Sequence, residues 1–176
     1  MEQGGIILYP TDTVWGIGCD ATNEAAVKRV YELKQRVDSK AMLVLVDRDV
    51  KVDFYVSDVP EIAWQLIEVS DKPLTIIYPH ARNLAQNLLA NDGSVGIRVT
   101  QEPFSKKLCE RFRKAIVSTS ANISGQPGAA NFQQISEDIK QGVDYIVQYR
   151  QDDTATPAPS SIIKLNEDGT IQILRK

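Results

Sequence analysis

A chain of 176 residues with 43% hydrophobic and 24% charged residues is long enough to bury a core, and its net charge of -3 excludes a protein that coats nucleic acid through bulk charge. Cys19 and Cys109 stand far apart with no C-x-x-C, and His80 is the lone histidine, so neither a zinc site nor a disulfide framework is indicated and a reducing cytoplasm fits. No apolar run approaches the ~20 residues that span a bilayer, and Met1-Glu2-Gln3-Gly4-Gly5 lacks the regions of a signal peptide, so a soluble cytoplasmic protein without membrane contact is expected.

The first apolar run of strand length covers residues 6–9 and leaves through Pro10 into Thr11-Asp12-Thr13-Val14-Trp15-Gly16. This exit sets two hydroxyls and a carboxylate past a strand, although Asp12 and Thr13 bonding local backbone would serve an ordinary turn equally well. Asn23 caps a helix with Val27, Val30 and Tyr31 on one face. At its end stand Lys34, Arg36 and Lys40, which either complement the helix dipole as a solvated cluster or converge on an anion. A strand over 42–46 follows, and Asp58 with Pro60 opens a helix carrying Ala63, Leu66 and Ile67.

Further apolar runs at 74–78 and 95–99 read as strands, the second interrupted by Arg98, whose charge there needs a partner or an anionic ligand. Pro103 starts a helix with Phe104, Leu108 and Phe112. After a strand over 115–117 comes Ser118-Thr119-Ser120-Ala121-Asn122-Ile123-Ser124-Gly125, with four hydroxyls and an amide in eight residues. At the carboxyl end of a strand such a segment is placed to hold a ligand, and as a polar loop it would cap a helix. A short helix after Ser136, a strand over 145–147 and a mobile, lid-like loop over 151–160 complete the middle of the chain. Asn166-Glu167-Asp168-Gly169 turns a hairpin that pairs 161–165 with 170–174.

This alternation predicts an α/β fold (α+β in some schemes): a single three-layer domain over 1–176, with a twisted mixed parallel and antiparallel sheet between helices. No Walker loop and no G-x-G-x-x-G is present, so phosphates need another cradle. Lys34, Arg36 and Lys40 supply charge and the 118–125 segment supplies short donors, a combination that serves phosphoryl or adenylyl transfer. His80 lies in a loop context and no G-x-S-x-G elbow occurs, which leaves nucleophilic catalysis without support.

Taken in order, Tyr9-Pro10-Thr11-Asp12-Thr13-Val14-Trp15-Gly16, Lys34-Gln35-Arg36, Pro73-Leu74-Thr75, Gly96-Ile97-Arg98-Val99, the 118–125 segment and Ser160-Ser161-Ile162-Ile163 resemble the YrdC-like family over nearly the whole chain. That family contains the L-threonylcarbamoyladenylate synthases. The resemblance implies a YrdC-like fold and the condensation of L-threonine, bicarbonate and ATP to threonylcarbamoyl-AMP with release of pyrophosphate. The product would feed threonylcarbamoyl-adenosine modification of tRNA by a downstream threonylcarbamoyl transferase complex. By the same resemblance Lys34 and Arg36 are catalytic. ATP would meet Lys34, Arg36, Lys40, Ser94, Ser120, Asn122 and Arg175, with Mg²⁺ carried on its phosphates and no protein metal site. Thr11 or Thr13, Arg98, Thr119 and Ser160 would surround threonine.

The chain departs from the family pattern at Val37, Ala41 and Thr100, where proline is customary, and at Asp71-Lys72, where a Pro-Gly pair is common before Pro73. Only five residues precede Ile6, where family members usually carry a helix, so the expectation is that this helix is missing and leaves apolar surface bare. Two other readings stand beside the synthase. One is a non-catalytic protein of the same fold that binds double-stranded RNA, tRNA or rRNA through a basic concave surface; the other is a carbamoyl-adenylate module acting on a different amine.

Overall fold

A computed structural model describes residues 1–36 and 41–176; Lys40 and the Val37 departure lie outside the described residues. Among the described residues nine strands form one sheet in the order β7-β1-β2-β6-β3-β5-β4-β8-β9. The strands are β1 (Ile7–Tyr9), β2 (Gly16–Gly18), β3 (Leu43–Val46), β4 (Leu74–Tyr78), β5 (Val95–Val99), β6 (Ile116–Ser120), β7 (Tyr145–Ile146), β8 (Ser161–Leu165) and β9 (Ile171–Arg175). β1/β7, β3/β5 and β4/β8 are parallel, and the other neighbours are antiparallel. The mixed sheet expected from the apolar runs is therefore present.

Strand alternation sorts side chains into two layers. Leu8, Val44, Val46, Ile76, Ile97 and Val117 enter one core with helix α1 (Glu24–Leu33). Ile7, Tyr9, Leu45 and Ile116 point the other way, to Cys109 and the apolar face of helix α4 (Pro103–Phe112). Helices α2 (Val52–Tyr55), α3 (Glu61–Val69) and α5 (Glu137–Gly142) contribute Val52, Tyr55, Ala63 and Ile139 to the first core. α4 covers only the Leu45–Ile116 part of its face, and the remainder of that face becomes the site.

Local chemistry explains the helix starts. Asn23 Oδ1 accepts from the Ala26 N–H at 3.0 Å, and α4 has proline in its first turn with the Glu102 carboxylate accepting from the Ser105 N–H at 2.6 Å. No helix among the described residues is long and apolar enough to cross a membrane.

Three stretches differ from or add to the sequence reading. β2 has no counterpart in it, because Gly-Ile-Gly carries a single apolar residue, yet it pairs with both β1 and β6. The polar 118–125 segment does not begin past a strand end: Ser118, Thr119 and Ser120 belong to β6, opposite Leu43, Ile17 and Gly16. The backbone ladder is indifferent to side-chain polarity, so a strand can continue where one face turns hydrophilic. Residues 49–55, unassigned in the sequence, form a short 3₁₀ turn and α2. At Thr100 the departure from proline has a use, since its N–H donates to Val46 O at 3.0 Å, a bond proline lacks.

Candidate active site

On the α4 side, β2, β6, β3, β5, β4 and β8 surround a cavity of about 380 Å³. Its floor is built from small residues. A Cβ on Gly96 would stand 3.3 Å from Leu43 Cβ and from Thr75 Cγ2, and one on Gly16 3.3 Å from Ser118 Oγ. Glycine inside these strands keeps the backbone open to close approach.

Register divides the cavity into two ends. Val44 pairs with Ile97 and Leu43 with Ser118, so Ser94 and Ser120 extend toward the Ala41 end of β3, where Arg36 Nη2 donates to Ala41 O at 2.8 Å. In the opposite direction Leu45, Arg98, Thr75, Ile162 and Arg175 form one cross-strand row. From Ala41 to Leu45 the chain spans roughly 13 Å at strand rise. Arg36, Arg98 and Arg175 all line the cavity, and no carboxylate does so among the described residues.

Arg98 is only 3% exposed and meets Asp12 at 2.9 Å. Burial lowers the arginine's pKa and raises that of the carboxyl, with each partner's charge opposing the shift of the other. Asp12 was quoted in the sequence motif without a partner, and the buried Arg98 was the signal that one was needed. Asp12 Oδ1 is ion-paired to one nitrogen of the guanidinium without hydrogen-bond alignment, and both that oxygen and Arg98 Nε are buried with no hydrogen-bond partner among the described residues. Ser160 lies beside this row: Arg175 Nε donates to Ser160 O at 2.7 Å, and Thr75 Oγ1 stands 2.9 Å from Ser160 Oγ.

The architecture recurs in known proteins. A family model, Sua5_yciO_yrdC, described as telomere recombination, matches residues 1–176. The chain belongs to the Sua5/YciO/YrdC family. Within it, the threonylcarbamoyl-AMP synthase of Stutzerimonas stutzeri (strain A1501) is 37% identical over 148 residues, covering 83% of this chain and 79% of the relative. The threonylcarbamoyl-AMP synthase of Pseudoalteromonas translucida (strain TAC 125) is 33% identical over 150 residues, covering 84% and 80%. P. abyssi Sua5 complexed with L-threonine superposes with a TM-score of 0.82 at 26% identity, over 94% of this chain and 48% of that one. The chain thus spans about half the length of that Sua5. E. coli YciO shares the fold, with a TM-score of 0.83 at 24% identity over 99% of this chain and 84% of its own.

In this family member the described site residues selected from the sequence take two kinds of place. Thr13, Arg36, Ser94, Arg98, Thr119, Ser120, Ser160 and Arg175 reach the cavity lining. Lys34, Thr11 and Asn122 stand behind it. Lys34 is 1% exposed, with its ammonium donating to Ser120 O and, at 2.7 Å, to Asn122 O; burial, then Arg36, lower its pKa to about 8. Together with the Ser124 N–H bonded to Lys34 O at 2.8 Å, this ties the end of α1 to the loop after β6. Thr11 Oγ1 donates to Val14 O at 2.7 Å and shapes the turn that presents Thr13. Asn122 Nδ2 donates to Ile123 O and Gln126 O, at 3.0 and 2.8 Å, and its Oδ1 is buried with no partner among the described residues.

Two residues that the resemblance assigns to ATP stand at different ends of the cavity. Arg175, assigned to ATP, sits in the Arg98 row against Ser160, because β8 and β9 pair as a hairpin beside β4. Ser94 lines the cavity with its hydroxyl donating to Asp92 at 2.6 Å. The Lys164 ammonium beside Asp92 holds that carboxyl well below the usual range, at about 2. At the rim, Arg150 donates to Asp153 at 2.8 Å and to Thr11 O at 3.3 Å, which fastens the start of the 151–160 loop, and Pro159 reaches the lining.

Proposed function

We propose that this chain is a threonylcarbamoyl-AMP synthase, condensing L-threonine, bicarbonate and ATP and releasing pyrophosphate. The observation that carries the reading is the electrostatic division of one cavity. At the Ala41 end Arg36, with the Lys34 ammonium behind the Ser120 backbone, offers positive charge without a carboxylate in the lining, which suits a triphosphate. At the other end Asp12 offsets one of the two arginines Arg98 and Arg175, so the row carries a single net positive charge, which suits the one carboxylate of an amino acid. The names of the curated relatives and the L-threonine complex of P. abyssi Sua5 support the same substrates.

In this reading the threonine amine takes up bicarbonate as a carbamate with loss of water. A carbamate oxygen then attacks the α-phosphorus in line, and pyrophosphate leaves carrying the broken P–O bond's electrons. Positioning and charge neutralisation dominate such a step. Ser118 offers a hydroxyl on the floor between the two ends, and Ser120 one toward the Ala41 end. Mg²⁺ would ride on the phosphate oxygens of the ATP substrate and on water, an arrangement that needs few protein ligands. The product would pass to a separate transferase complex that acts on tRNA, in the cytoplasm. An RNA-binding protein would have little need of the hydroxyl set that this cavity gathers.

The reading is tested by measuring pyrophosphate release with threonine and bicarbonate omitted in turn. Release is expected only with both present, and release independent of either would sink the assignment.

Lys34 supplies a pH signature. Its charge is lost as pH rises through about 8, so kcat/KM for ATP is expected to fall across that point. Stability moves the other way. Between about 8 and the ordinary 10.5 the unfolded chain binds more protons at this lysine than the folded one, so its contribution to stability rises with pH. A rate profile flat through that window, or one falling in parallel with stability, would remove Lys34 from the phosphate end.

A further inference from the structure

Thr75 is 2% exposed, yet it lines the cavity, and nothing above has given it a part in the reaction. Its neighbours determine what its hydroxyl can do. The Arg175 guanidinium only donates, and its Nη2 lies 3.3 Å from Ser160 Oγ while Nε holds Ser160 O. Ser160 Oγ therefore spends a lone pair on Arg175, and its own hydrogen can turn to Thr75 Oγ1 at 2.9 Å. Either hydroxyl can donate in this pair, and an acceptor in the cavity beside Thr75 selects the arrangement in which Arg175 donates to Ser160, Ser160 to Thr75, and Thr75 to that acceptor.

The acceptor follows from the cross-strand partner. Thr75 stands directly opposite Arg98 in the antiparallel β4/β5 pair, where Cβ atoms are about 5 Å apart. Arg98, ion-paired to Asp12 through one nitrogen, keeps a buried Nε with no partner among the described residues. One hydroxyl donor and one guanidinium donor side by side match the two oxygens of a carboxylate. A polyphosphate is poorly served there, because Asp12 leaves the Arg98–Arg175 row with a single net positive charge, enough for one carboxylate. We propose that Thr75 is a specificity-determining residue that holds the amino-acid substrate's carboxylate together with Arg98. This rests on the reading that the cavity takes an amino acid beside ATP.

The test compares wild type, Thr75→Val and Thr75→Ser in pyrophosphate release, varying L-threonine, L-threoninamide and ATP, with thermal melts of each. Threonine-dependent release by the wild type is the control for the reading beneath the proposal; without it that reading and the proposal fall together, before any variant is compared. Given that control, Thr75→Val is expected to raise KM for threonine on the order of tenfold or more, with KM for ATP unchanged. Its preference for threonine over the uncharged amide should shrink by a similar factor, and Thr75→Ser, which keeps the hydroxyl, should restore both. An unchanged threonine-to-amide preference overturns the proposal while leaving the synthase reading intact, and so does an equal rise in KM for ATP. Should Thr75→Val melt early, Ser160→Ala removes the relay behind an intact Thr75 and is expected to narrow the same preference; an unaltered preference in that variant overturns the proposal as well.

Discussion

Replacing Arg36 with alanine is expected to lower kcat/KM for ATP on the order of 10²-fold, while the folded state loses only about 1 kcal/mol from the missing bond to Ala41 O. The asymmetry comes from where the charge acts. Arg36 is half-buried and lines the cavity on the side where no carboxylate of the described residues joins the lining, so its charge faces the place where a polyanion would lie. Lysine at this position keeps the charge and loses the planar fork, so Arg36→Lys should recover part of the rate. The readouts are pyrophosphate-release kinetics at varied ATP and thermal melts on the same samples. A wild-type rate in Arg36→Ala would reduce the basic cluster to a solvated helix end, and a loss that follows threonine rather than ATP would exchange the two ends of the cavity.

Long apolar runs and capped helices were legible because their causes are local. The runs at 74–78 and 95–99 match β4 and β5 residue for residue, and Asn23 caps α1 through its side chain as read. β2 was not legible, since two of its three residues are glycine and it exists through its neighbours on both sides. The chemistry of the site was visible as residue types, and most of the selected residues do meet at one cavity. Their grouping was not visible. That Arg175 lines up with Arg98 while Ser94 and Ser120 lie toward Arg36 is a consequence of register across six strands, which no local pattern encodes. Lys34 shows the other limit. A lysine at a helix end reads as an exposed cation, and here the loop after β6 folds over it and offers two carbonyls instead.

The Arg98–Asp12 pair allows stability and function to be separated. Asp12→Ala leaves a guanidinium that is 97% buried, carries its charge at every accessible pH and has lost its carboxylate, so a loss of roughly 3–5 kcal/mol in urea unfolding is expected. Arg98→Met should cost less. The carboxyl left behind can take up a proton, and burial already raises its pKa in that direction. In the double variant Asp12→Leu with Arg98→Met no buried charge remains, and replacing a buried pair by apolar groups of similar volume is often neutral or stabilising, so much of the stability should return. Threonine-dependent turnover should not return with it, because the donor that meets the carboxylate is gone. Recovery of both would make the pair a brace for the loop over 10–15 and take Arg98 out of the substrate site. Recovery of neither would mean that the loop depends on the ion pair's geometry as well as its charge. Stability regained in a chain that no longer distinguishes threonine from threoninamide is the outcome that ties the buried arginine to recognition.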